Sequence, residues 1–196
     1  MDLIQSPDIN KRSRLPPGQH FVKNLPILHL GTTPKVDISS WRFKITGLVE
    51  KEKELNFEEF LALPRVRVQS DIHCVTGWSR LNNQWEGVST SAIKDVVKIK
   101  PKAEFVMVYG ENGFSTNLSL KDFFSLDVLF ALKHEGRDLT LEHGYPVRLV
   151  VPRLYFWKSA KWVQRVEFMA EDKPGFWESK GYHGHGDPWK EERYRD

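Results

Sequence analysis

Asp71-Ile72-His73-Cys74-Val75-Thr76-Gly77-Trp78-Ser79-Arg80 holds the only cysteine among 196 residues. One thiol can close no disulfide within the chain and cannot build a cysteine cage for zinc. Any chemistry at Cys74 therefore belongs to one thiolate, as a nucleophile or as a ligand to a soft metal. A free cysteine is also, quite ordinarily, a small buried hydrophobe. Its surroundings favour a site. Val66, Val68 and Ile72 form a β-branched run that predicts a strand, and Gly77 permits a tight turn that would leave the thiol at a strand end, where loops build sites. His73 is the nearest base, but neighbouring strand residues point to opposite faces.

Outward from this segment, alternation and capping signals predict the other elements. Trp41 to Val49 alternates apolar with polar and predicts a strand. Asn56 caps a short helix carrying Phe57, Phe60 and Leu61 that Pro64 ends, a second begins at Ser89 or Ser91, and Ser119 caps a third through Phe124. Further strands are predicted over 104–109, 127–133, 138–141, 147–151 and 161–169, the third pairing with the second across Glu135-Gly136. Residues 1–18 are polar, close on Pro16-Pro17-Gly18 and predict an extended or loosely attached arm, with one domain over 19–196. Runs of strands with short helices between them give an α+β, β-rich fold.

Composition narrows the function classes. Hydrophobic residues make up 40% with seven Trp and twelve Phe, enough for a packed core. The net charge of +3 is spread along the chain and forms no nucleic-acid footprint, although it suits an anionic ligand. No stretch approaches the ~20 apolar residues of a membrane span. Lys11, Arg12 and Arg14 lack the apolar run of an export signal, which, with one unpaired cysteine, predicts a cytoplasmic protein.

Other candidates are ambiguous taken singly. Arg148 opens an apolar run and by itself reads as a solvated strand-edge charge. Lys158 and Lys161 read as surface residues, and His143-Gly144 as a turn before Tyr145-Pro146. His183, His185 and Asp187 have a metal-like spacing, but three glycines and a proline make that segment a loop and argue against zinc.

Taken together, four blocks carry more. Asp71 to Gly87, His143 to Pro152, Trp157 to Trp162 and Gly181 to Trp189, with Phe21-Val22-Lys23-Asn24 before them, resemble in order the sulfite-oxidase-like molybdopterin oxidoreductases, particularly their short, stand-alone bacterial and archaeal members. The resemblance implies the sulfite-oxidase cofactor-domain fold and a molybdenum-molybdopterin cofactor, the metal held by two pterin sulfurs and by Cys74. It implies that Arg148, Lys161 and the Ser159-Ala160 backbone hold the cofactor phosphate, that His143 bonds the pterin, and that Val22, Lys23 and Asn24 cover its other side.

The implied reaction is oxygen-atom transfer with a small-molecule oxo donor or acceptor, Cys74 being the centre and Arg80, His73, Tyr155 and Arg153 lining the substrate side. Sulfite oxidases of this family place arginines close behind the cysteine, whereas here Val75 to Ser79 precede Arg80. A weakly charged sulfur or nitrogen oxide is therefore the expected substrate. No haem-binding or dimerisation block is found, so electrons would pass through a separate partner. Two alternatives stand beside this reading: a redox-inactive pterin-binding or interaction module, and a thiol hydrolase or transferase built on Cys74 and His73.

Overall fold

A computed structural model describes residues 3–195; Met1 and Asp2 of the expected arm and Asp196 lie outside the described residues. Twelve strands are found among them: β1 Leu3–Gln5, β2 His20–Phe21, β3 Arg42–Gly47, β4 Lys53–Asn56, β5 Arg65–His73, β6 Trp78–Ser89, β7 Phe105–Gly110, β8 Ser115–Ser119, β9 Leu129–His134, β10 Arg137–Asp138, β11 Arg148–Val150 and β12 Val163–Met169. Short helices α1 Phe57–Leu61, α2 Ile93–Val96 and α3 Leu120–Phe123 lie between strands. The fold is α+β and strand-rich, as predicted.

The strands form two sheets. One runs β1-β5-β6-β9-β10, with β11 also on β9 and β2 also on β6, and the other runs β4-β3-β12-β7-β8. Alternation explains β3, where Phe43 and Ile45 are fully buried while Lys44 faces out. Asn56 caps α1 through a capping box with Glu59, and Ser119 accepts from the Asp122 amide at the start of α3. The main core is aromatic: Phe43 meets Phe60 at 5.0 Å and Phe130 at 5.1 Å between ring centroids. A smaller cluster, with Val68, Ile72, Cys74, Trp78, Trp85 and Val150, packs on the first sheet and carries the thiol.

Several expectations are corrected. The N-terminal segment is tied down, because β1 pairs in parallel with β5, Ser6 Oγ donates to Asp127 at 2.6 Å, and the Arg14 guanidinium forks onto Asp71. Its polarity serves specific bonds. The predicted strand over 138–141 shrinks to Arg137–Asp138, since Leu141–His143 turns into a 3-10 helix. Strands β4, β6 and β8 carry polar stretches that periodicity does not flag, such as Asn82-Asn83-Gln84 within β6.

Candidate cofactor site

Cys74 to Gly77 form the tight turn joining β5 to β6. The Gly77 amide donates to the Cys74 carbonyl at 3.0 Å, the Cys74 amide donates to Trp78 O at 2.8 Å, and Gly77 adopts φ +97°, a conformation that favours glycine. Two distant side chains clamp this turn: Gln19 Nε2 donates to Cys74 O at 3.0 Å, and the Arg193 guanidinium donates to Val75 O. Burial pushes the thiol above its ordinary pKa, opposed by the Thr76 hydroxyl at 3.2 Å and by the Arg193 charge.

Two cations gather on the same cavity wall. Arg148, on β11, is fully buried, and it donates from Nη1 to His143 O and from Nη2 to Ser159 O, both at 3.0 Å. Phe156 lies 4.3 Å and Trp85 5.6 Å from its guanidinium, and no carboxylate among the described residues pairs with it. Burial pulls its pKa down to about 9. Lys161 donates to Leu28 O at 2.8 Å and to Glu142 O, and burial together with the Arg148 charge pulls it down to about 7. Gly144, at φ +108°, passes between the two: a Cβ there would lie 3.0 Å from Arg148 Cβ and 3.2 Å from Lys161 Cβ. His143 can only donate from Nε2 to Leu25 O, at 3.3 Å, which leaves Nδ1 to accept from Thr140.

A cavity of about 360 Å³ joins these groups. It brings together Cys74, Arg148, Ser159, Ala160 and Lys161 of the expected residues. Phe156, also in the lining, stands edge-on to Trp78 at 6.0 Å and packs under the Arg148 guanidinium. The other expected residues do not line the cavity. Val22 bonds its amide to Ser79 O, Lys23 accepts from Arg80 Nε, and Asn24 leads into the segment Leu25 to Leu30. His143 supports Arg148 and that segment from behind.

The residues expected on the substrate side are also elsewhere. Arg80 is committed to Asn83 and to Glu135 at 2.9 Å. His73 bonds Ser79 Oγ at 2.8 Å, and burial pulls its pKa down to about 4. Tyr155 stacks on Trp157 at 5.3 Å, and Arg153 lies 4.0 Å from Asp122 and 3.9 Å from Asp127. His185 and His183 pair with Glu192, and Asp187 caps Trp189, so no cluster able to hold a metal ion forms there among the described residues. Sequence reasoning missed Leu28, His29, Asn112 and Trp177 in the lining, as well as Thr76 and Tyr182, which lie inside quoted blocks. For Leu28 and His29 the one available signal was their place a few residues after Asn24.

The family description "oxidoreductase molybdopterin binding domain" matches residues 29–177. The chain belongs to this family. It is 45% identical to the uncharacterized oxidoreductase YuiH of Bacillus subtilis over 94% of each chain. It is 28% identical to the putative protein-methionine-sulfoxide reductase subunit YedZ1 of Azospira oryzae, over 78% of this chain and 58% of that protein. Among solved structures, the sulfane dehydrogenase SoxCD from Paracoccus pantotrophus superposes with a TM-score of 0.67 at 23% identity, covering 76% of this chain and 42% of that one, a likeness of fold.

The family's cofactor, molybdenum-molybdopterin, fits the residues present. A soft thiol opens on the cavity, two cations without carboxylate partners share its wall, and Gly144 lets both of their side chains pack close against its backbone. No helix among the described residues is long and apolar enough to cross a membrane.

Proposed function

We propose that this protein is an oxygen-atom transferase in which Cys74 ligates molybdenum, while Arg148 and Lys161, with the Ser159-Ala160 backbone, hold the cofactor phosphate. When bound, the cofactor supplies the metal centre that accepts or donates the oxygen atom. The chain's own contribution is to position that group and to set the charge around it. Arg148 and Lys161 offer unneutralised positive charge, which a phosphate dianion compensates.

The substrate is a small, weakly charged sulfur or nitrogen oxide. The observation that carries this is the wall around the thiol. Thr76 and Trp78 flank Cys74, and Tyr182 lines the same cavity, its pKa raised chiefly by burial. Trp177 packs on Tyr182 at 5.1 Å. A sulfite dianion in such a pocket would need cations, because an uncompensated buried charge costs several kcal/mol. Arg80, the nearest in sequence, is spent on Glu135, and Arg193, whose charge reaches the thiol, is engaged by the Val75 and Pro17 carbonyls. A neutral sulfoxide or N-oxide needs only a donor and an apolar wall.

A thiol hydrolase lacks a base here, since His73 bonds Ser79. A separate electron-transfer partner is consistent with one relative being named a subunit, and a cytoplasmic location with the unpaired thiol. The test has two stages. Protein made in a molybdopterin-competent host is assayed for molybdenum and for pterin fluorescence after release, and absence of both supports the interaction module. Steady-state kinetics with an artificial donor on S- and N-oxides is then set beside sulfite with an artificial acceptor. A highest kcat/KM for sulfite overturns the substrate assignment.

A further inference from the structure

The Thr76 hydroxyl lies 3.2 Å from Cys74 Sγ. A hydroxyl rotates to suit its partner, and a thiolate only accepts, so the bond runs from Thr76 Oγ1 to the sulfur. Among the described residues this hydroxyl has no other partner. Thr76 is exposed to the cavity that Cys74 lines, so its side chain contributes little to the core.

The placement is built from several directions. The turn is closed by the Gly77 amide on Cys74 O, braced by Gln19 on the same carbonyl, and held by Arg193 on Val75 O from 118 residues away. These contacts fix the backbone on both sides of Thr76, and β-branching restricts its χ1. The donor is thus held at the sulfur by the whole turn and not by its own packing.

Resting on the reading that Cys74 ligates molybdenum, we propose that Thr76 is a positioning residue that tunes the metal through Cys74, its hydroxyl drawing electron density from the ligating sulfur and raising the reduction potential of the centre. Hydrogen bonds to ligand sulfur are one of the levers by which a protein sets a metal's potential. A sulfur relieved of its donor pushes more charge onto the metal and stabilises the oxidised state, so removing the hydroxyl lowers the potential.

The experiment uses holoenzyme from a molybdopterin-competent host in four forms: wild type, Thr76→Val, which keeps the shape without the donor, Thr76→Ser, which keeps the donor, and Cys74→Ser. Molybdenum content, the thiolate-to-metal absorption band and the midpoint potential from a mediated titration are measured on each. Thr76→Val is expected to hold wild-type molybdenum, to shift the band to lower energy, and to lower the potential by about tenfold in the equilibrium constant, about 59 mV for a one-electron couple. Thr76→Ser is expected to stay with wild type. An unchanged potential in Thr76→Val, an equal shift in Thr76→Ser, or loss of molybdenum from Thr76→Val alone overturns the proposal. A band that survives unchanged in Cys74→Ser shows instead that the ligation reading has failed, and the tuning role falls with it.

Discussion

His73 and Cys74 are adjacent in the chain yet serve different surroundings: the imidazole Nδ1 lies 2.8 Å from Ser79 Oγ with its ring edge-on to Trp189, while the thiol lines the cavity. His73 ends β5 while Cys74 opens the turn to β6, so the backbone carries the two side chains into different surroundings. The base that a nucleophilic cysteine would need is engaged by Ser79 instead, which favours the ligand role proposed for the thiol.

Cys74→Ser is therefore expected to lose molybdenum while retaining part of its pterin, because a hydroxyl is a harder and weaker ligand for this centre, whereas the phosphate contacts remain. Elemental analysis of the purified variant checks this. Wild-type molybdenum would show that the metal is held without the thiolate.

Arg148→Ala and Lys161→Ala are each expected to lower pterin content at least tenfold when cofactor is limiting, since a charge-assisted bond to phosphate contributes roughly 1.5–3 kcal/mol. Gly144→Ala should do the same, through a Cβ pressed against both side chains. Unchanged pterin content in Arg148→Ala and Lys161→Ala would mark these cations as structural.

Lys158 and Glu178 form an ion pair at 2.7 Å with both side chains fully buried. Asn117 Oδ1 takes a second bond from Lys158 Nζ, and Trp157 Nε1 donates to Glu178. Lys158→Met strands the carboxylate and should cost about 3–5 kcal/mol, while adding Glu178→Gln should recover much of that. Denaturant midpoints of the two single variants and the double variant measure it. A double variant no more stable than Lys158→Met would show that the pair is not coupled.

Stability should fall in mild acid. His134 stacks on Trp85 at 4.1 Å, and burial, with help from the Arg80 charge, lowers its pKa from 6.5 to about 4. The unfolded ring takes up a proton below about 6.5 and the folded ring only below about 4. The contribution is therefore complete above 6.5 and is lost as the pH drops through that window, to a total of roughly 3 kcal/mol. Urea midpoints between pH 7 and 4 should decline less steeply in His134→Gln than in wild type; parallel declines would assign the acid sensitivity to other groups.

The sequence alone determined the strand-rich fold class, the capped helices at Asn56 and Ser119, and a turn at Gly77 with the thiol at its mouth. These are local matters: alternation follows from the strand pleat, caps from orphan helix amides, and a tight turn from glycine's freedom at positive φ. The tertiary structure decided which charges are spent and which are free. Arg148 reads in sequence as a solvated strand-edge charge and is fully buried, and Lys158 reads as a surface residue and is paired with Glu178. Arg80 reads as the cation nearest Cys74 and is held by Glu135, whereas Arg193, far along the chain, reaches the turn itself. The environment of a charge is set by whatever distant segments fold over it. Desolvation and ion pairing are therefore properties of the assembled sheets, and no local pattern of residues encodes them.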